Sequence, residues 1–417
     1  TAPAALALAE ALGDRPLASR VCQMAIIAVG NWGAALAWGT PEAAQWTELS
    51  DRFADDGTPA RVRADIALAF HAMFSQLGTP GTLVMPENRA LEVIRHADEL
   101  AQRLSVPELQ EEVDTAFIVA STSLDLAEER LLRAQRIKAP TYNTLFFICN
   151  VFLQHGLRDK AESVTHQLLE LGARTRQPVV HLLAQTNAVW MDTADGRLEE
   201  AISTLDGLRA EADAAGHLTY FRSLVLMTLM PYYYLGRLES VEMAYRSGQT
   251  IFGGLVAATQ GELEPARAAL DLLTNENTAE MAPFVNVVMG MIAVLAGHEA
   301  AARLVLERLK DAPVVANGTQ VGPLSIARVL GDCAALLGER EEARKHYEKA
   351  FEICDQMRLR PEKALTALGM AELLLDGNED EQAEAQRHLD FAVSELREMK
   401  MQPWLERALK HKGLLKA

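Results

Sequence analysis

The stretch Leu330-Gly331-Asp332-Cys333-Ala334-Ala335-Leu336-Leu337-Gly338-Glu339-Arg340-Glu341-Glu342-Ala343-Arg344-Lys345-His346-Tyr347-Glu348-Lys349-Ala350 decides the fold. Leu330, Gly331 and Ala334 stand at helical spacing in its first half, and Ala343, Tyr347 and Ala350 do so in its second. Between them Gly338 supplies a helix stop, and Glu339 to Glu342 supply a polar turn. Small residues at Gly331, Ala334, Ala343 and Ala350 let two helices cross closely. Leu330 and Tyr347 fill the space beside the crossing. The stretch therefore predicts a helix pair in which Gly331 precedes Ala343 by 12 residues.

The same template recurs along the chain. Met289-Gly290, Ala293, Ala302, Leu306 and Leu309 repeat it, as do Gly253-Gly254, Ala257, Ala266, Leu270 and Leu273. Upstream, Ala201, Leu205 and Leu208 follow a Gly196-Arg197-Leu198 turn, and Ala161, Thr165 and Leu168 follow Gly156-Leu157-Arg158. Downstream, Leu368-Gly369 pairs with Ala385, Leu389 and Ala392 across the insertion Gly377-Asn378-Glu379-Asp380. Most successive second-helix anchors lie 36 to 42 residues apart. One place breaks the rhythm. Gly236-Arg237-Leu238-Glu239 marks a turn with Val241 and Tyr245 as anchors, yet Ala266 comes 25 residues after Val241. Either a helix over 239–258 is fused and bent near Gly248 or Gly253-Gly254, or residues are missing there. Residues 1–140 are less regular. Thr40 caps a helix opening Pro41-Glu42-Ala43-Ala44-Gln45-Trp46, and another opens at Pro86-Glu87-Asn88-Arg89-Ala90 after the loop Gly78-Thr79-Pro80-Gly81. Ala127, Leu131 and Ala134 mark a third. Residues 141–417 are regular and close on a capping helix near Trp404 to Lys416, whose Arg407, Lys410, His411 and Lys412 give a polar outer face. No linker rich in Gly, Pro or Ser interrupts the array, and strand patterning is almost absent.

The Leu-Gly, Ala, then Ala, aromatic, Ala pattern resembles the tetratricopeptide consensus, with a period above its roughly 34 residues. That resemblance implies an all-α fold, a right-handed superhelix of antiparallel helix pairs. It also implies an inner wall lined by the first helix of each pair, at positions around the small Gly site. Carried onto this sequence, these are Phe146, Asn150 and Leu153, then Thr186, Trp190 and Thr193, then Leu226, Met230 and Tyr233. Val287, Met291 and Val294 follow, and then Arg328, Asp332 and Ala335. Of these, Phe146, Asn150, Trp190, Met230, Tyr233, Met291, Arg328 and Asp332 are the candidate binding residues, with Tyr233 and Trp190 expected to be exposed because their polar tips tolerate water. Met and aromatic side chains suit an adaptable groove for a peptide, helix or ligand.

Composition narrows the function further. The 417 residues carry 40 basic and 57 acidic side chains, a formal charge of −17. Such a surface repels phosphate backbones, so nucleic acid is not an expected partner. No run of 18 apolar residues exists, so no membrane span is expected. Cys22, Cys149, Cys333 and Cys354 form no Cys-x-x-Cys pair and read as buried small hydrophobes in a reduced, cytoplasmic setting. The chain begins Thr1-Ala2-Pro3 without a basic leader, which reads as a fragment of a longer protein. There is no G-x-x-x-x-G-K-[ST] phosphate loop, no H-E-x-x-H, no zinc spacing of Cys and His, and no G-x-S-x-G elbow. Glu199-Glu200, Glu341-Glu342 and Glu379-Asp380-Glu381 fall in inter-helix turns, where acids favour helix N-termini. No catalytic residue, cofactor or metal site is expected. A helical-toroid enzyme also has paired helices but lacks the 12-residue Gly-to-Ala spacing.

Arg360-Pro361-Glu362-Lys363-Ala364-Leu365-Thr366-Ala367-Leu368-Gly369-Met370-Ala371-Glu372-Leu373-Leu374, followed by Met401-Gln402-Pro403-Trp404-Leu405-Glu406-Arg407-Ala408, is similar to the C-terminal arrays of large bacterial regulators. These are class III adenylate or guanylate cyclases and LuxR-type activators related to the maltose regulator. The resemblance implies a sensor-regulatory region that answers a protein or peptide partner, other domains of its own parent chain, or a small-molecule inducer. The parent's ATPase and cyclase or DNA-binding parts would lie outside this sequence. The alternative is a stand-alone adaptor that binds a partner peptide.

Overall fold

The computed structural model describes residues 1–38, 40–74, 87–121, 123–136, 142–217, 221, 224, 228–238, 251–274, 283–312, 314–317, 322 and 324–414. The chain is all-α. The first helices are α1 (Ala2–Ala11), α2 (Arg15–Ala37), α3 (Pro41–Phe53), α4 (Pro59–Phe74), α5 (Glu87–Leu104), α6 (Pro107–Ala120) and α7 (Leu124–Arg136). Then come α8 (Tyr142–Gln154), α9 (Arg158–Thr175), α10 (Pro178–Ala194), α11 (Leu198–Ala214) and the short α12 (Met230–Leu235). The remainder are α13 (Ile251–Thr259), α14 (Leu263–Leu273), α15 (Pro283–Ala296), α16 (Glu299–Leu309), α17 (Ile326–Leu336), α18 (Arg340–Met357), α19 (Arg360–Leu374), α20 (Glu379–Glu398) and α21 (Gln402–Leu414). The expected loop at 78–81, Pro86, Leu226, the anchors Val241 and Tyr245, and Gly248 lie outside the described residues. The two glycines beyond them, Gly253 and Gly254, sit inside α13, and its partner α14 carries Ala266, Leu270 and Leu273, all buried.

Contacts divide the chain into two compact units. One comprises residues 1–151, 164–184 and 208–224, the other 152–163, 185–207 and 225–417. In the first unit each helix from α1 to α7 packs on the next, and α2 also meets α4, as α4 meets α6. Thr40 caps α3 as expected, its hydroxyl accepting from the Ala43 amide at 3.2 Å. Charged groups in this unit are paired where buried. Arg61 binds Asp65 and Asp51, each at 2.7 Å, and Arg130 donates to Asp114 at 2.5 Å.

In the second unit the odd-numbered helices α13, α15, α17, α19 and α21 contact one another in succession, while α14, α16, α18 and α20 fill the spaces between them. Tyr347 shows why the quoted stretch folds this way. A Cβ at Gly331 would stand 2.7 Å from the Tyr347 ring, and one at Gly369 would stand 2.7 Å from its hydroxyl. The ring therefore occupies space that any larger residue on α17 or α19 would take. Ala343, Tyr347 and Ala350 are all buried on α18, and Gly338, at φ +73°, reverses the chain before it. The insertion Gly377 to Asp380 runs into α20 at Glu379, so the acids Glu379, Asp380 and Glu381 stand at a helix N-terminus, as expected. The Asn378 side chain accepts from the Asp380 and Glu381 amides, and the Glu381 carboxylate accepts the Asn378 amide. Such a capping box is worth about 0.5–2 kcal/mol.

Two features escaped the sequence pattern. A two-residue antiparallel pair, β1 (Ala316–Asn317) with β2 (Leu324–Ser325), precedes α17. The second is Arg158, buried at the start of α9. It donates to Glu162 and Asp195, each at 2.9 Å, and to the Met357 carbonyl at 3.3 Å, so it holds the end of α18 from 199 residues away in sequence. All four cysteines are free and buried. Burial pushes the Cys22 thiol up to about 11, consistent with an inert packing role. Among the described residues no helix is long and apolar enough to cross a membrane.

The Tyr347 wedge yields a test. Gly331→Ala gains helix propensity of roughly 1 kcal/mol but forces a methyl into the ring. A net loss of about 1–3 kcal/mol is expected in urea unfolding. In a Tyr347→Leu background the same substitution should lose that penalty, which a double-mutant cycle measures directly.

Candidate functional site

The second unit holds a cleft lined by Tyr233 from α12, Met291, Val294 and Leu295 from α15, Arg328 and Asp332 from α17, and Leu365, Leu368, Gly369 and Glu372 from α19, with Trp404 and Arg407 from α21. It encloses about 40 Å³ of water-accessible volume. One water needs about 10–15 Å³ on that measure, so the enclosed part takes a few heavy atoms and no more. Apolar side chains of α15 and α19 form one side. Polar groups of α17, α19 and α21 form the other.

The polar side is organised by a buried carboxylate. Glu362, 1% exposed on α19, accepts from the Arg328 Nε at 2.8 Å, the Ser325 amide at 2.9 Å and the Tyr234 hydroxyl at 2.7 Å. Arg328 also donates from Nη1 to Asp332 at 2.6 Å, and Asp332 accepts from the Tyr347 hydroxyl at 2.8 Å. Burial opposes the charge of Arg328, but Glu362 and Asp332 outweigh it and hold the guanidinium firmly protonated. Burial raises the Asp332 carboxyl above its ordinary range, against the pull of Arg328 and the Tyr347 hydroxyl. At the other end Arg407 forms a bidentate pair with Glu372, which also accepts from His411 at 2.9 Å. Tyr233 packs its ring 5.3 Å from Trp404, centroid to centroid. Three nitrogens among these groups are buried without a hydrogen-bond partner, Arg328 Nη2, Trp404 Nε1 and His411 Nδ1.

Four of the eight residues named from the sequence, Tyr233, Met291, Arg328 and Asp332, come together in this cleft. The other four do not line it. Met230 is 0% exposed, and Trp190 is 1% exposed. The expectation that Tyr233 and Trp190 are exposed is corrected. Tyr233 is 4% exposed because Trp404 and α21 pack over it. Around Trp190, Thr186, Asn187, Val189 and Met191 are buried too, so this part of α10 is enclosed on more than one side. In the first unit Phe146 stacks edge-on against Phe147 at 5.1 Å, and Asn150 is buried with neither side-chain polar atom hydrogen-bonded. The basic residues expected to face outward from the last helix also turn in part to the protein. Arg407 and His411 bind Glu372, and Lys412 binds Asp390.

Comparison with family models and with curated proteins finds no match for this chain. The site must therefore be read from its own chemistry. Glu362, Glu372, Trp404 and Arg407 were not among the sequence candidates. The inner-wall template took positions three before and one and four after each Gly site. Glu362 stands seven before Gly369, one turn further along the same face, so extending the template by a turn finds it. On α19 the cleft residues Leu365 and Glu372 each stand one position before a template position, and Leu368 stands next to the Gly369 site itself.

A second group of titratable side chains lies on α6 in the first unit. Burial, and then Glu112, Asp114 and Glu108, push the Glu111 carboxyl up to about 7. Among the described residues no set of three or more His, Cys, Asp or Glu side chains is arranged to hold a metal ion.

Both clusters generate tests. Removing one partner of a buried ion pair costs about 3–5 kcal/mol, so Glu362→Gln should lower stability by that order in urea unfolding. The triple variant Arg328→Met, Asp332→Asn, Glu362→Leu should cost less than the single one, because no charge of the cluster is left without its partner. For Glu111 the folded state keeps a proton that the unfolded chain releases, so stability falls as pH rises from its ordinary range to about 7. Glu111→Gln should raise the melting temperature at about pH 8 and leave it unchanged at about pH 4.

Proposed function

We propose that the chain is a non-catalytic recognition module built as a tetratricopeptide-like, right-handed superhelix, with its ligand or partner taken up on the wall formed by α15, α17, α19 and α21. The observation that carries this reading is the cleft itself. Four residues chosen from the repeat pattern as inner-wall positions share one cavity with Trp404 and Arg407. Recognition sites combine an apolar body with a few fixed polar groups, and this cleft has both. Its two lining carboxylates, Asp332 and Glu372, and Glu362 behind Arg328 each already accept two or more hydrogen bonds, which leaves them poorly suited to abstract a proton.

The wider role follows from resemblance alone. The run from Arg360 to Leu374 and the Met401-to-Ala408 segment support a sensor-regulatory region of a multidomain, cytoplasmic bacterial signalling protein, either a cyclase or a LuxR-type activator. A stand-alone adaptor would use the same wall on a separate partner.

Leu295 lies half-buried at the edge of the cleft, so Leu295→Arg should block it while changing stability by less than about 1 kcal/mol. Affinity capture with the wild-type chain should recover one stoichiometric partner that the Leu295→Arg chain does not. A partner encoded in the same reading frame supports the regulatory region; a partner from another gene supports the adaptor. Retention of the partner by Leu295→Arg would sink the reading.

A further inference from the structure

The small size of the cleft follows from what stands against its wall, and the inference drawn from it rests on the reading of that wall as the recognition surface. Tyr233 lines the cleft, yet it belongs to none of the wall helices α15, α17, α19 and α21. It comes from α12, six residues long, which packs chiefly on α21 rather than on α13, the next helix in the chain. The Tyr234 hydroxyl donates to Glu362 on α19 at 2.7 Å, and the Tyr233 ring lies 5.3 Å from that of Trp404 on α21. Just beyond, Gly236 turns the chain at φ +69°, so near to Pro403 that a Cβ there would collide with the proline ring. Met230, Tyr233, Tyr234 and Leu235 are all buried. A short segment that lays apolar side chains on a wall and sets a polar tip on one fixed acceptor has the form in which grooves recognise peptides. Here the segment is the chain's own.

The wall keeps its charges paired without this segment. Glu362 retains the Arg328 Nε at 2.8 Å and the Ser325 amide at 2.9 Å, and Asp332 retains Arg328 Nη1 and the Tyr347 hydroxyl. Departure of α12 therefore strands no buried ion. It frees one acceptor position on Glu362 and the contact with the Trp404 ring. The replacement is defined by those two points: a ring with a hydroxyl for Glu362, beside a second ring for Trp404. Adjacent tyrosines supply both.

We propose that residues 228–238 are an internal occupant of the recognition wall, an autoinhibitory strap, and that the partner is a peptide segment with adjacent tyrosines that takes its place. The tethered copy competes at high effective concentration, so the wild-type chain admits an outside copy poorly. The probe is a synthetic peptide of residues 228–238 with a fluorophore at its N-terminus, titrated against the whole chain by anisotropy. Tyr234→Phe keeps the ring of the strap and takes its hydroxyl from Glu362, so this chain should bind the peptide at least about tenfold more tightly than wild type. A peptide with Phe in place of Tyr234 should not show that gain. Gly236→Ala, which drives a methyl against Pro403 and leaves Glu362 untouched, should also tighten binding. Circular dichroism shows which variant chains are folded, and either folded one decides. Equal peptide affinity in wild type and variant would overturn the strap and make α12 a fixed part of the core, as would loss of the fold in both variants. Those results leave the reading of the wall to the Leu295→Arg capture. A gain in peptide affinity that survives the added Leu295→Arg substitution would place the peptide elsewhere and overturn the proposal as well.

Discussion

The second unit depends on one buried carboxylate. Glu362 sits at the start of α19 with almost no exposure, and its three hydrogen-bond donors come from different places in the chain. The Tyr234 hydroxyl reaches it from α12, 128 residues away; the Ser325 amide comes from β2 and Arg328 from α17. An ionised carboxylate out of water is tolerated only when its lone pairs are met in this way. The need to meet them fixes where α12 lies against α17 and α19. It also fixes Arg328, because Nε is held by Glu362 and Nη1 by Asp332. The wall proposed for recognition is thus shaped by how the core satisfies its own buried charge.

Much of this architecture was legible in the sequence, because the repeat encodes contacts between near neighbours. Gly331 and Tyr347 are 16 positions apart, and the requirement that one be small for the other to fit can be read from their spacing. The same holds for Ala266, Leu270 and Leu273 on α14 and for Ala385, Leu389 and Ala392 on α20, all buried as the template requires. Local capping was partly visible too. Thr40 before Pro41 is legible as a cap and Glu379-Asp380-Glu381 as acids at a helix start, while the capping box of Asn378 with Glu381 lies hidden in what reads as an insertion.

What escaped was set by contacts that no short window contains. Tyr233 looked like an exposed aromatic because nothing near it in sequence covers it; Trp404, 171 positions later, does. Arg158 reads as an ordinary surface residue at a helix start, yet it is buried against the Met357 carbonyl. Glu362 stands between Arg360 and Lys363 at a helix start, where an acid suggests solvent, and only its partners reveal otherwise. The sequence template names four residues that share the cleft, but it does not reach Glu362, Glu372, Trp404 or Arg407. Those are the residues whose roles depend on distant segments folding back.

The number of helices that line the cleft has a consequence for how binding would be felt by the rest of the chain. In an array where each helix touches mainly its neighbours, a local contact does not by itself transmit. The cleft is different, because Arg328 stands on α17, Trp404 on α21, and Tyr233 on α12 beneath Trp404. A ligand held by side chains of both α17 and α21 binds only when the two are docked with α19 between them. Its affinity for any opened arrangement is lower, and that difference is the whole of what a ligand can contribute to a conformational equilibrium. At a concentration of about a hundred times its dissociation constant, such a ligand stabilises the docked arrangement by about 2.7 kcal/mol. That is comparable with the cost of a single core substitution, so occupancy of a few-atom cavity is enough to bias the terminal helices. A recognition module with this geometry needs no moving hinge to report its ligand; it needs only that the last helix be marginally held without it.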